Sequence, residues 1–153
     1  MNESQKSYLN GILVFQGGKV AWPKDSVIAI RVAAFKNYPF SGSSGIMQEI
    51  LNGNAYFTVE SLPLYVDSAS FSIEITSLPV LLKYIGVAQQ LDSNILDQRV
   101  IGVYSETGNN TQPSSIFIEE GKTYNIRIVI DFNNLPPQPS IIVKQNNTSA
   151  NEK

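Results

Sequence analysis

The sequence predicts an all-β fold, a seven- or eight-stranded antiparallel sandwich with Greek-key connections. Isoleucine and valine together number 29 against 19 for leucine and alanine, and this bias toward β-branched side chains favours sheet over helix. Short stretches in which apolar and polar residues alternate recur along the chain, with turn-forming residues between them. No long stretch has the apolar spacing of an amphipathic helix, so we expect helices to contribute little.

The strands follow from the alternation and from the turns between them. We expect strands at residues 8–15, 27–35, 55–60, 71–76, 80–87, 100–104, 116–118 and 123–132. Residues 64–66 and 141–143 are further candidates for short edge strands. Residues 119–122 are expected to form a hairpin-like turn between the strands at 116–118 and 123–132, with Gly121 available for a positive φ. Residues 46–51 fit two alternatives, an edge strand or a single helical turn with Ser44 as its cap and Asn52-Gly53 as its stop. We expect one domain of 153 residues with its folded core at about residues 8–144 and polar tails at both ends.

Residues 69–90 are predicted to form the centre of the fold, as two strands joined by a tight turn at residues 77–79. Apolar and polar residues alternate over residues 71–76, so the first strand is expected to bury one face. Residues 80–87 are apolar on both parities, which is typical of a central strand covered on both faces. The predicted core positions in this hairpin are Phe71, Ile73, Tyr84 and Val87.

Three short motifs and two longer stretches carry a resemblance to a known family. The motifs are Phe71-x-Ile73, Leu78-Pro79 and Tyr84-x-x-Val87, and the stretches are residues 11–14 and 120–126. Together they resemble carboxypeptidase-regulatory-like domains of the prealbumin-like (transthyretin-like) group, whose opening strand is similar to the first stretch and whose closing turn and strand are similar to the second. Residues 80–83 depart from the pattern, which usually has a glycine just before the tyrosine. The resemblance implies a prealbumin-like sandwich that serves as a non-catalytic appendage of a secreted or surface bacterial protein.

The chain contains neither histidine nor cysteine. This excludes Ser-His-Asp and Cys-His nucleophilic schemes, imidazole acid–base chemistry and nearly all zinc sites. Carboxylate pairs such as Asp67 with Glu74, or Glu119 with Asp131, are the remaining acid–base candidates. Thirteen carboxylates spread over turns and strand faces produce such pairs by chance, so we expect no enzyme and no catalytic residues.

Cofactors and metals are not expected either. Asp92, Asn94 and Asp97 place three oxygen ligands within six residues, but the spacing lacks the glycine and the closing glutamate of a calcium loop, so an Asx-rich turn is the simpler interpretation. No glycine-rich loop follows a strand and precedes a helix, which disfavours nucleotides. The net charge is −2 and the basic residues are scattered, so nucleic acid is not an expected partner.

Aromatic side chains in predicted loops are the candidate ligand-binding residues: Trp22, Tyr38 and Phe40. Exposed rings on a rigid β scaffold stack on sugars or anchor peptides, whereas buried rings close the ends of the core. Pro39 stiffens the backbone between Tyr38 and Phe40, whose rings are expected to point away from each other in an extended segment. The two alternatives are a carbohydrate or peptide site and a plug for the core.

The predicted function is a non-catalytic structural or interaction module, and the alternative is a carbohydrate- or peptide-binding module that uses the loop aromatics. Its partner is expected to be carbohydrate or protein. No run approaches the ~18 apolar residues of a membrane span. Serine, threonine, asparagine and glutamine number 46, a polar texture that favours an extracytoplasmic location, periplasmic or at the cell surface. Attachment through a lipid-bearing cysteine upstream of Met1, removed from this chain, is compatible with that location.

Overall fold

The computed structural model describes residues 6–24, 27–40, 45–94 and 97–138, and within these ranges the protein is all-β. Nine strands lie in the described residues: β1 (Ser7–Phe15), β2 (Ala29–Phe35), β3 (Ala55–Phe57), β4 (Ser68–Ile75), β5 (Val80–Leu82), β6 (Tyr84–Gln90), β7 (Gln98–Val103), β8 (Ile116–Ile118) and β9 (Thr123–Ile130). One α-helix, α1 (Gly45–Leu51), and a short 3-10 helix (Gly18–Ala21) complete the described elements.

The strands form two main sheets and a small third one. Sheet A has the order β4-β1-β9, in which β1 is antiparallel to β4 and parallel to β9. Sheet B has the order β3-β2-β6-β7 and is antiparallel throughout. Strands β5 and β8 pair with each other as sheet C.

Sheets A and B enclose the main core in a sandwich-like arrangement. Each sheet contributes the apolar residues of one strand parity, which is what alternation along a strand produces when one face is buried. From sheet A these include Leu9, Phe71, Ile73 and Ile128, and from sheet B they include Ile30, Val32 and Val87. A second, smaller cluster lies on the other face of sheet B, beside α1, and it contains Phe35, Phe40, Tyr84 and Val103.

Several sequence predictions are confirmed. Strand β4 alternates strictly between exposed and buried side chains, and the four predicted core positions are all buried. Residues 46–51 are helical, and the helix ends where Asn52-Gly53 was expected to stop it. Gly53 has a φ of 76°, its N–H bonds the Ile50 carbonyl, and the Asn54 N–H bonds the Glu49 carbonyl, which together make a Schellman cap. The predicted cap at Ser44 lies outside the described residues.

The predicted central hairpin is wrong. Residues 77–79 do not return β4 onto a neighbour, because β4 pairs with β1 in sheet A whereas β6 lies between β2 and β7 in sheet B. Lys83 also divides the expected second strand into β5 and β6, so the link carries the chain from one sheet to the other by way of sheet C. Alternation correctly fixed which face of β4 is buried, but it carries no information about which strand is the neighbour.

Four further expectations need correction. The turn at residues 119–122 does not close a hairpin, since β8 pairs with β5 and β9 pairs with β1. The β1–β9 pair is parallel, so the sandwich is not purely antiparallel, and nine described strands exceed the seven or eight expected. Residues 64–66 are not a strand, because the chain there crosses the end of the core, where Leu64 and Val66 pack. The candidate strand at 141–143 and both predicted tails lie outside the described residues, except for Lys6.

Candidate functional site: the open edge of β4

Trp22, one of the three predicted ligand-binding residues, closes an end of the main core. It is only 4% exposed, its ring lies 4.5 Å from Phe15 and 5.1 Å from Tyr65, and its indole N–H donates to the Val66 carbonyl at 2.9 Å. With its apolar surface covered and its one polar atom bonded, Trp22 presents little surface to a ligand. Its geometry matches the plug alternative.

Phe40 belongs to the second cluster, on the outer face of sheet B, and Tyr38 contacts two rings of that cluster. Phe40 is 8% exposed and packs edge-on against Phe35 and Tyr84. Tyr38 is 36% exposed and stacks on Tyr84 at 4.7 Å. The rings of Tyr38 and Phe40 contact each other at 5.5 Å, so the expectation that they point apart is wrong, because both are drawn onto the ring of Tyr84. Trp22 therefore lies in the main core cluster, whereas the Tyr38–Phe40 pair lies at the second cluster. The described residues do not bring these three rings together into one site.

The Tyr84 side chain carries its hydroxyl within this second cluster. It is buried and has no hydrogen-bond partner among the described residues. Burial, with the nearby Tyr38 phenol as a lesser cause, raises the pKa of Tyr84 far above its usual value. The ring also covers Gly86, where an added Cβ would lie 2.9 Å from it, so Tyr84 fills the space that a larger residue at position 86 would take.

Side chains cover two stretches at the edges of sheet B, on β2 beyond the end of β3 and at Val100 of β7. Where β3 ends, the Thr58 hydroxyl accepts the Val32 N–H at 3.1 Å and the Thr58 N–H donates to the Val32 carbonyl at 3.0 Å. At Ile30, two residues before Val32 in β2, the Ser61 hydroxyl accepts the main-chain N–H at 3.0 Å. At the opposite edge, the Gln138 amide exchanges two bonds of 2.7 Å with the main chain of Val100. Side chains thus satisfy main-chain groups that an edge strand usually leaves open.

Strand β4, at the edge of sheet A, lacks such covers over its middle. The Phe15 N–H donates to the Asp67 carbonyl, so by the alternation of an antiparallel ladder Ala69, Phe71 and Ile73 direct their main-chain groups toward β1. The intervening residues direct theirs away from the sheet: Ser68, Ser70, Ser72 and Glu74. Among the described residues, no hydrogen bond reaches the main chain of these four from outside the β1–β4 pair. The pairing is regular over its whole length, without a bulge.

A groove of about 530 Å³ runs along this open edge, and we name it the β4 groove. One wall is residues 70–74 of β4, and the other is residues 56–62, which leave β3 and cross the edge of β2. Phe57 and Val59 on the second wall are 44% and 78% exposed, and the Tyr56 hydroxyl closes one end by donating to the Thr76 carbonyl. The groove thus combines free main-chain donors and acceptors with two exposed apolar side chains.

Two carboxylates lie in the groove walls, Glu60 and Glu74, and two cations lie beside them. The Lys36 ammonium lies 5.6 Å from the centre of the Tyr56 ring, and the Arg31 guanidinium donates to the Val59 carbonyl and to the Gln90 side chain. Because the formal charges balance, the groove does not select an occupant by net charge. The edge strand β9 bears Arg127 as β4 bears Glu74, so both edge strands of sheet A carry a charged side chain.

The candidate acid–base pairs do not come together. Asp67 and Glu74 are separated by seven extended residues, roughly 23 Å at the rise of a strand, and Glu119 and Asp131 flank opposite ends of β9. Asp67 instead accepts the Lys19 N–H at 2.8 Å, and Glu119 pairs with Lys122 at 2.8 Å. These separations far exceed the carboxyl spacing of glycoside hydrolases.

The described residues of the Asp92–Asp97 stretch bond one another, as expected of an Asx-rich turn. The Asp92 carboxylate accepts the Asn94 N–H at 2.8 Å, and a hydrogen bond between the Asp92 and Asp97 carboxyls raises the pKa of Asp97. Among the described residues, no group of three or more acidic side chains could hold a metal ion. The turn joins β6 to β7 as a hairpin connection, and its polar atoms bond one another.

Sequence reasoning missed the β4 groove. The signal that could have revealed the groove is the set of polar residues at alternate positions of β4: Ser68, Ser70, Ser72 and Glu74. This strand has no lysine, proline or bulge, which are devices that commonly block an edge strand. In the sequence alone this pattern indicates the water-facing side of a hairpin, because alternation does not identify the neighbour of β4. Phe57 and Val59 carried no signal, since single exposed apolar residues are common on proteins.

No protein-family model matches the chain, and neither a curated protein nor a solved structure is detectably similar to it. Within the ranges that the structure describes, neither helix has the length and apolar character needed to cross a membrane.

Proposed function

We propose that this protein is a non-catalytic interaction module of an extracytoplasmic protein, and that it binds an extended polypeptide strand along the open edge of β4. Strand addition supplies main-chain hydrogen bonds for affinity, while side-chain contacts beside the edge give specificity. The β4 groove offers both, through the outward groups of Ser70, Ser72 and Glu74 and through exposed Phe57 and Val59.

One observation carries the proposal: the contrast between β4 and the covered stretches at the edges of sheet B. At Ile30, Val32 and Val100 a side chain or a crossing segment satisfies the outward main-chain groups, whereas at Ser70 and Ser72 none of the described residues does so. Unpaired edge groups form a template for another strand, and proteins that do not use an edge usually block it. A long, regular and unguarded edge is therefore best explained by a partner strand.

The fold assignment within this proposal is a prealbumin-like sandwich with Greek-key connections. Its support is that the stretches similar to the opening and closing strands of that group lie side by side in β1 and β9, with Phe71 and Ile73 beside them in β4. The β4–β1 neighbours in sheet A are also in keeping with a Greek key, in which the fourth strand returns to lie beside the first. The polar composition supports the extracytoplasmic placement.

An array of extended eight-residue peptides with alternating apolar and polar positions tests the proposal, with Ser72→Pro beside wild type. The Ser72 N–H points away from β1, so proline there removes an outward donor without breaking the β1–β4 ladder. The matched control is Asn125→Pro, whose N–H points outward from the β9 edge. We expect peptide binding that Ser72→Pro abolishes and Asn125→Pro retains. Absence of binding, or binding that Ser72→Pro leaves intact, would contradict the proposal.

The second candidate function is carbohydrate or peptide binding at Tyr38, and its support is the exposed part of that ring beside the second cluster. A glycan array with Tyr38→Ala separates the two candidates, because this substitution leaves the β4 groove intact. Loss of glycan binding in Tyr38→Ala would favour this candidate, and unchanged binding would exclude it. Phe40 is buried against Phe35 and Tyr84, so Phe40→Ala acts here only through packing.

A further inference from the structure

Resting on the proposed strand addition, we infer that the strand bound at the β4 groove is β4 of a second copy of this chain. Two β4 strands would pair antiparallel about a two-fold axis, joining the two A sheets into one continuous six-stranded sheet. Such an interface is isologous, with the same surface patch on both copies.

The register follows from which main-chain groups are free. Hydrogen-bonded pairs form only between residues whose N–H and C=O groups both point outward, which on β4 are Ser68, Ser70, Ser72 and Glu74. Centring the two-fold axis on Ser72 places Ser72 opposite Ser72 and Ser70 opposite Glu74 of the other copy. These three facing pairs would exchange about six main-chain hydrogen bonds.

Side chains fit this register as well. Each Glu74 carboxylate would face the Ser70 hydroxyl of the other copy, a donor for it, and the two Glu74 side chains would lie about 13 Å apart along the strands. No like charges would stand opposite each other, which is the arrangement that destabilises a cross-strand pair. The small serine side chains also leave the axis free of steric conflict.

The surroundings of the edge favour a second copy too. Phe57 and Val59 flank the groove on the wall opposite β4, so a two-fold axis through the edge brings both of these exposed apolar side chains to one interface. Their burial would favour association, because it removes apolar surface from water. A net charge of only −2 per chain means that two copies repel each other weakly.

Single-cysteine variants test this inference sharply, since the chain has no cysteine of its own. In the Ser72→Cys variant the two engineered thiols would face each other across the axis, with Cα atoms about 5.5 Å apart, inside the range of a disulfide. In Ser70→Cys they would be about 13 Å apart, and in Asn125→Cys they lie on β9. After mild oxidation, non-reducing electrophoresis should show at least tenfold more linked dimer for Ser72→Cys than for either control.

Light scattering of the cysteine-free protein gives a second measurement. We expect a concentration-dependent dimer that Ser72→Lys weakens at least tenfold, because two like charges would meet at the axis, while Asn125→Lys leaves it unchanged. Equal linking in all three cysteine variants, linking through Ser70→Cys alone, or a wild-type monomer at every concentration would overturn the inference. If the protein is monomeric but the peptide array shows Ser72-dependent binding, the second copy is excluded and strand addition stands. Failure of both experiments excludes both.

Discussion

Sheets A and B share one core but differ in how their outer surfaces are finished. In sheet B the side chains of Thr58, Ser61 and Gln138 satisfy main-chain groups at parts of both edges, and the outer face carries α1 and the cluster around Tyr84. Sheet A has an outer face that mixes polar side chains with exposed apolar ones such as Ile12 and Val129, and among the described residues no side chain covers the outward main-chain groups of β4. Sheet B thus carries additional structure on its outer face, whereas sheet A is the one with an edge suited to contact another chain.

Serine and threonine side chains serve different purposes at the edges of the two sheets. Serine and threonine on residues 58–61 replace a missing strand within the molecule, whereas the serines of β4 leave the place of a missing strand empty. Hydroxyl side chains close an edge only when a crossing segment brings them to it. Composition alone therefore does not distinguish a closed edge from an open one.

The largest expected effect comes from breaking sheet A at its buried face. Ile73→Ala removes core volume from β4 and should lower the free energy of unfolding by about 2–5 kcal/mol. Ser72→Ala, on the exposed face of the same strand, should cost about 0.5 kcal/mol or less, since it loses only the exposed bond to Asn10. Urea denaturation of both variants measures the comparison, and equal losses would mean that the assigned faces of β4 are wrong.

A smaller effect should come from opening an edge of sheet B. Ser61→Ala leaves the Ile30 N–H without its acceptor, and we expect a loss of about 1–3 kcal/mol. Ser70→Ala, at the open edge, removes no main-chain partner and should change the free energy of unfolding by less than about 0.5 kcal/mol. The contrast between closed and open edges fails if thermal denaturation shows the same shift for both.

The smallest effect should be a gain in stability on the outer face of sheet B. Tyr84→Phe removes a buried hydroxyl that lacks a partner among the described residues, and it should raise the free energy of unfolding by about 1 kcal/mol. The folded pKa of Tyr84 is raised above its unfolded value of 10.0, so the folded state retains the proton more strongly and wild-type stability should fall as the pH rises above about 10.

Tyr84→Phe should remove the part of the loss of stability at alkaline pH that comes from this hydroxyl. Tyr65→Phe serves as a control, because its ring is half-exposed and contacts Trp22. Denaturant midpoints at neutral pH and at about pH 11 measure both effects. A destabilised Tyr84→Phe would show that the hydroxyl does have a partner.

The sequence was informative where local physics decides the structure. Alternation placed the buried face of β4, and the apolar run ending in Val87 identified β6 as a central strand. Asn52-Gly53 ended α1 because glycine adopts a positive φ without strain. The all-β class followed from the same local patterns.

Pairing could not be predicted, because a strand with one apolar face fits many neighbours and residues 77–79 do not reveal whether they turn back or cross to the other sheet. The candidate site was missed for the same reason, since an open edge is defined by the absence of a neighbour. Trp22 and Phe40 show why the exposure of an aromatic residue in a loop is hard to predict from sequence. Such a ring becomes buried when the adjoining strands supply a surface for it.

Hydrogen exchange at single amides, followed by NMR at low protein concentration, tests the central claim most directly. The amides of Phe71 and Ile73 point toward β1 and should exchange slowly, as should those of Ile30, Val32 and Val100, which side chains satisfy. The amides of Ser70, Ser72 and Glu74 should exchange orders of magnitude faster and become protected only as the concentration rises. Slow exchange of these three amides in the dilute monomer would contradict the account, because the edge of β4 would then already be covered within one chain.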